Sequence, residues 1–129
     1  MVRKKRVLIV EDEESLLKLE TILLTVKGFE VIGAITGKMA IEKIGVEMFD
    51  LVLLDIMLPD LDGFEVCLQF RKDPRTASVP IIMLTGQRSQ SDYDKGMKCG
   101  ANSYFVKPFK SAMIIEEINR LLAESGDGT

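Results

Sequence analysis

The chain has 129 residues, 47% of them apolar, and a formal net charge of −3. That length and apolar content suit one globular domain rather than a disordered tail, and the mild acidity speaks against a nucleic-acid footprint. No apolar run approaches the length of a membrane span, no signal peptide precedes the first apolar run, and no histidine is present to serve as ligand, general base or phosphate carrier.

The basic run Arg3-Lys4-Lys5-Arg6 reads as a solvated lead into the first apolar stretch rather than as a binding arm. "RVLIV" (6–10) is continuously apolar, as expected of a strand covered on both faces. Leu16, Leu19, Leu23 and Val26 then recur at helical steps and predict one apolar stripe, stopped at Lys27-Gly28. "EVIGAI" (30–35) predicts a second strand, and Ala40, Ile41, Ile44 and Met48 a weaker helix. "LVLLD" (51–55) predicts the third strand. The helix after it should start near Asp62, where Asp62 and Glu65 have capping-box spacing, and stop before Asp73-Pro74. "IIMLT" (81–85) and "SYFVK" (103–107) predict the last two strands, separated by a polar, glycine-containing helix around 91–99. Met113, Ile114, Ile118, Leu121 and Leu122 form the face of the final helix, before a frayed tail at 125–129.

Five alternations of strand and helix imply right-handed βαβ units and one doubly wound α/β domain over 1–129, with a core of about 5–124. Cys67 and Cys99 form no CxxC pair and read as ordinary reduced thiols of a cytoplasmic protein. In a parallel sheet the carboxyl ends of all strands share one edge, the edge where ligands of this architecture bind. Glu11 and Asp12 follow the first strand, Asp55 closes the third, Thr85 the fourth and Lys107 the fifth. Taken singly, each has an ordinary structural reading as a cap, a strand-end hydroxyl or a surface charge. Together they converge on one small region.

Two carboxylates about 4 Å apart repel by roughly 4 kcal/mol at an effective dielectric near 20, so three of them with a single lysine call for a further cation. An all-oxygen set with open positions suits one Mg²⁺. A carboxylate beside such an ion, an ammonium and a hydroxyl can capture a phosphoryl group, with Asp55 as nucleophile and Lys107 and Thr85 on the phosphoryl oxygens.

The stretches "VLIVEDE" (7–13), "LVLLDIMLPDLDGFE" (51–65), "PIIMLTG" (80–86) and "GANSYFVKPF" (100–109) resemble the receiver domain of two-component response regulators over nearly the whole chain. The resemblance implies a flavodoxin-like (βα)5 three-layer sandwich with a parallel sheet in the order 2-1-3-4-5. It implies that Asp55 accepts a phosphoryl group from the phosphohistidine of a histidine kinase or histidine phosphotransfer protein. Glu11, Asp12 and Asp55 would hold Mg²⁺ together with the backbone carbonyl of Met57. Thr85 and Tyr104 would form a switch that alters the surface of the fourth helix, fifth strand and fifth helix. Met57 and Gln87 would tune slow self-dephosphorylation, and the Lys107–Pro108 bond would be cis. Such a domain catalyses changes at its own aspartate rather than acting as a conventional metabolic enzyme. Its partners would include a downstream protein or output domain, with no nucleic acid and no membrane bound by this chain.

One departure is the Glu11-Asp12 pair, where similar domains carry two aspartates. Rival chemistries fare worse. "EDEES" would repel a flavin phosphate, and Gly37-Lys38-Met39 lacks the hydroxyl and the earlier glycine of a P-loop. Met57 stands where a dehalogenase-like phosphatase carries its second aspartate. The alternative from another class is a receiver-like protein-interaction module that acts without phosphorylation.

Overall fold

The computed structural model describes residues 3–86 and 90–124. The predicted strands and helices form in the expected sequence: β1 (Arg6–Val10), α1 (Glu14–Val26), β2 (Glu30–Ala34), α2 (Gly37–Val46), β3 (Leu51–Asp55), α3 (Gly63–Lys72), β4 (Ile81–Thr85), α4 (Gln90–Lys98), β5 (Ser103–Val106) and α5 (Ser111–Leu122). The strands pair in parallel in the order β2-β1-β3-β4-β5. The fold is the flavodoxin-like doubly wound sandwich.

Alternate residues of each central strand feed two separate cores. Leu8, Val10, Val52, Leu54, Ile81 and Met83 pack toward α2 and α3 with Phe64, Val66 and Phe70. Val7, Ile9, Leu51, Leu53, Ile82 and Leu84 pack toward α1 and α5 with Leu24, Ile114 and Ile118. β3 and β4 are buried along their whole length, which is why their sequences are continuously apolar.

Local signals set the helix boundaries. Gly28 closes α1 with φ of 95°, a left-handed conformation that a side chain disfavours. The Thr36 hydroxyl caps α2 by accepting from Met39 N, and the Asp62 carboxylate caps α3 by accepting from Phe64 N. The reciprocal half of the expected capping box is not made, since Glu65 accepts instead from the Gln69 side chain, 3.5 Å away. Arg71 joins α3 to the rest: its guanidinium donates to the carbonyls of Gly100, Thr76 and Val79 and to Asn102 Oδ1.

Several expectations are corrected. The α1 stripe is out of phase: Leu19 and Val26 are 53% and 78% exposed, whereas Glu20 and Leu24 are buried. Met48 lies beyond α2 and is exposed, as is Met113 on α5. β2 stops at Ala34 rather than residue 35, and β5 stops at Val106, one residue before Lys107. The basic run is exposed to half-buried, as a solvated lead should be, and is also tied down: Arg3 pairs with Asp50, while Arg6 pairs with Glu30 and Glu47 and lies over the Phe49 ring. Cys67 and Cys99, far apart in sequence, meet across α3 and the turn after α4, where the Cys67 thiol donates to the Cys99 carbonyl at 3.3 Å. Burial pushes the Cys67 thiol up to about 11.

Candidate functional site

The sheet register assembles the site. Val10 pairs with Leu54, so Glu11 and Asp55, one step further along, stand side by side at the carboxyl edge. Asp55 pairs with Leu84 and Thr85 with Val106, which brings the Thr85 end and Lys107 to the same edge. The structure gathers Glu11, Asp12, Asp55 and Lys107 into one cluster, and the sheet register brings the strand end at Thr85 to the same edge.

Lys107 Nζ lies 2.6 Å from Glu11 Oε1 and 2.7 Å from Asp55 Oδ2. Asp55 Oδ1 accepts from Met57 N at 2.8 Å. Both acceptor oxygens are thus engaged, yet each carboxylate oxygen keeps a second lone-pair direction. Glu11 and Asp55 are buried and Asp12 is exposed, and one carboxylate oxygen from each lies within 4.8 Å of those of the other two. Burial pushes the Glu11 carboxyl up to about 7, opposed by the Lys107 hydrogen bond and assisted by the charge of Asp55. Burial acts against the Lys107 ammonium, but its hydrogen bonds to Asp55 and Glu11 outweigh that effect and raise its pKa. Lys107 thus contacts two of the three clustered carboxylates, and the oxygen-only donor set with an accessible Asp12 fits a hard divalent cation.

The loop after Asp55 is held from two sides. Met57 bridges to Asp62, and Gly63 N donates to the Ile56 carbonyl at 2.9 Å. A β-carbon on Gly63 would stand 2.6 Å from the Asp55 carbonyl oxygen and from Ile56 Cα, so only glycine allows this approach. Asp60 accepts from the backbone N–H groups of Gly37 and Lys38 at 2.8 and 2.9 Å, tying the loop to the start of α2. These contributions of Asp60 and Gly63 escaped the sequence reading; the signal for them was the run "LPDLDG", rich in turn residues where a helix was about to start.

The remaining site residues fall around this centre. The Met57 side chain is 61% exposed. Thr85 is buried, and its backbone carbonyl accepts from Lys107 N at 2.7 Å. The Lys107–Pro108 bond is cis. Tyr104 packs edge-on to Tyr93 with ring centroids 5.5 Å apart. Its hydroxyl is buried with no hydrogen-bond partner among the described residues, though the Thr85 side chain is near enough to pull its pKa down against the rise from burial. Gln87 lies outside the described residues.

A family model described as the response regulator receiver domain matches residues 7–119. The chain belongs to that family, within two-component signal transduction. The alkaline phosphatase synthesis transcriptional regulatory protein PhoP of Bacillus subtilis is 39% identical over 121 residues, covering 94% of this chain and 50% of that protein. The sensory transduction protein RegX3 of Mycobacterium tuberculosis is 40% identical, covering 94% of this chain and 52% of its own. The chain thus spans about half the length of the curated relatives it matches. Among solved structures, a response regulator receiver domain protein of Methanospirillum hungatei JF-1 superposes with a TM-score of 0.92 at 32% identity, covering 98% of this chain and all of that one. The receiver domain of the sensor histidine kinase PA1611 of Pseudomonas aeruginosa PAO1, solved with a magnesium ion coordinated in its active-site cleft, gives 0.87 at 29% identity, covering 94% and 99% of the two chains.

Proposed function

We propose that this chain is the phosphoacceptor module of a two-component relay, with Asp55 receiving the phosphoryl group. The observation that carries the reading is the contact of one ammonium, Lys107, with both Asp55 and Glu11. That contact supports the reading because the ammonium faces the carboxylate that the sheet register sets at the edge. An Asp55 oxygen attacks phosphorus, and the bond from phosphorus to the imidazole nitrogen of a partner's phosphohistidine breaks, the imidazole leaving with the electron pair. Lys107 meets a phosphoryl oxygen and Thr85 offers its hydroxyl to another. Glu11, Asp12, Asp55 and the Met57 carbonyl would hold Mg²⁺, whose charge would offset that of the carboxylates and of the incoming phosphoryl group.

Phosphorylation replaces one negative charge with roughly two and adds acceptor oxygens, so groups that now face Asp55 rearrange. Movement of Thr85 toward them frees space beside Tyr104 and alters the α4–β5–α5 surface, which a downstream protein or output domain reads. Met57, whose side chain is exposed, and Gln87 tune the phosphate lifetime. A histidine kinase or phosphotransfer protein in the cytoplasm is the donor. Incubation with a small acyl phosphate and magnesium tests the reading. Base-labile phosphate should be incorporated by the wild type and lost in Asp55→Asn; incorporation that survives the substitution refutes it.

A further inference from the structure

Asp60 caps a helix to which it does not belong. The opening N–H groups of α2 have no acceptor within the helix itself. Met39 N finds the Thr36 hydroxyl at 3.0 Å, an ordinary local cap. Gly37 N and Lys38 N donate instead to Asp60 Oδ1 and Oδ2 at 2.8 and 2.9 Å, from 23 and 22 residues away. Asp60 Oδ1 also accepts from Leu61 N at 2.8 Å. Thr36 already supplies a cap, so three charge-assisted bonds on one exposed carboxylate exceed what the end of α2 requires.

The two segments are also packed as one. A β-carbon on Gly37 would stand 2.9 Å from Leu61 Cβ and 3.0 Å from Val66 Cγ2, so the start of α2 lies flush against the loop tip. At its base the loop is pinned by Met57 N on Asp55 Oδ1 at 2.8 Å and by Gly63 N on the Ile56 carbonyl at 2.9 Å. Between those pins Met57, Pro59 and Asp60 are exposed, and the Asp60 carboxylate fastens the far side.

Mg²⁺ accepts little departure from octahedral geometry, and a carbonyl ligand on a turn serves it well only when the turn is held beforehand. We propose that Asp60 is a positioning residue for the metal: by fastening the loop tip to α2 it fixes the peptide of Met57, a role that rests on reading Glu11, Asp12, Asp55 and the Met57 carbonyl as the metal's holders. Linkage makes the effect reciprocal, so the ion, by holding the loop, tightens the loop's grip on α2.

Magnesium alone is the probe. Its dissociation constant is read from amide shifts of the full chain, alongside urea unfolding of each variant. Asp60→Ala should weaken binding about 10-fold, the lower end of the loss expected when a group that orients a metal ligand is removed. Asp60→Asn removes the same charge but keeps an oxygen for Gly37 and Leu61, and should recover more than half of that loss on a logarithmic scale. Thr36→Ala removes a cap from the same helix without touching the loop, and should lower stability while leaving magnesium affinity unchanged. Equal weakening by Asp60→Ala and Asp60→Asn would make charge rather than position the cause and overturn the proposal. Equal weakening by Asp60→Ala and Thr36→Ala would overturn it as well, since general loosening would then suffice. The unsubstituted chain gives an independent check: magnesium should slow hydrogen exchange at Gly37 and Lys38 by more than at Met39, and unchanged rates at the first two refute the coupling. A wild type that takes up no magnesium sinks the metal reading and this inference with it; a wild type that binds magnesium no better than Asp60→Ala sinks this inference alone.

Discussion

Glu11 and Glu20 are carboxylates held in surroundings that prefer them neutral, and this has a thermodynamic signature. Each is pushed by burial from an ordinary value of 4.5 up to about 7. Between those values the native chain keeps protons that the unfolded chain has released, so stability is greatest below pH 4.5 as far as these groups are concerned and falls as pH rises through 7. For Glu20 the full loss amounts to roughly 3 kcal/mol at ~1.4 kcal/mol for each unit of displacement. Denaturant unfolding of Glu20→Gln at several pH values checks this. The variant should match the wild type near pH 5 and exceed it by up to that amount at pH 8; a difference that does not vary with pH would rule it out. The same residue explains a misreading. Leucines occupy both sides of α1, so the period alone gives no phase, and the buried position between Leu17 and Leu24 carries a glutamate, the opposite of what a core pattern leads one to expect. The five edge residues were legible because each ends or follows an apolar strand. Asp60 and Gly63 were not, because their work depends on which backbone groups the loop happens to approach.

At the scale of elements, strands were the easiest part to read, since double-sided burial leaves uninterrupted apolar runs. Methionines misled in α2 and α5 because an apolar side chain at a helical spacing is not thereby inward-facing: Met48 and Met113 are both exposed. The tie between elements was invisible in sequence. Arg71 gathers carbonyls from the connection between α3 and β4 and from the turn before β5, with its planar fork filling each direction. Burial lowers its pKa, yet the guanidinium stays charged. Arg71→Met should cost about 3 kcal/mol by leaving buried carbonyls without donors, and Arg71→Lys should recover less than half, since an ammonium lacks the fork. Urea unfolding of the two variants measures both quantities; a loss under about 0.5 kcal/mol for the methionine variant, the range of ordinary surface changes, would show the tie to be dispensable.

For the molecule as a whole, the uncompensated negative charge at the sheet edge is a reserve of stability that a cation can release. A ligand that binds only the native state adds about 2.7 kcal/mol when present at 100 times its dissociation constant. Magnesium should therefore raise the midpoint of thermal unfolding in a concentration-dependent way, and Asp12→Asn should blunt the rise by removing the exposed member of the carboxylate set. Sodium at matched ionic strength should not reproduce it. An equal rise with sodium would reduce the effect to screening.

The buried Cys67 thiol on the inner face of α3 gives the molecule a built-in clock. Cys67 is wholly buried and its sulfur, with a pKa near 11, is almost never a thiolate at neutral pH, so an alkylating reagent meets it only after the surrounding layer has parted. In a Cys99→Ala background, the ratio of its modification rate to that of an unstructured cysteine reads directly how often α3 lifts from the sheet. Loosening Arg71, which fastens the end of that helix, should make the clock run faster.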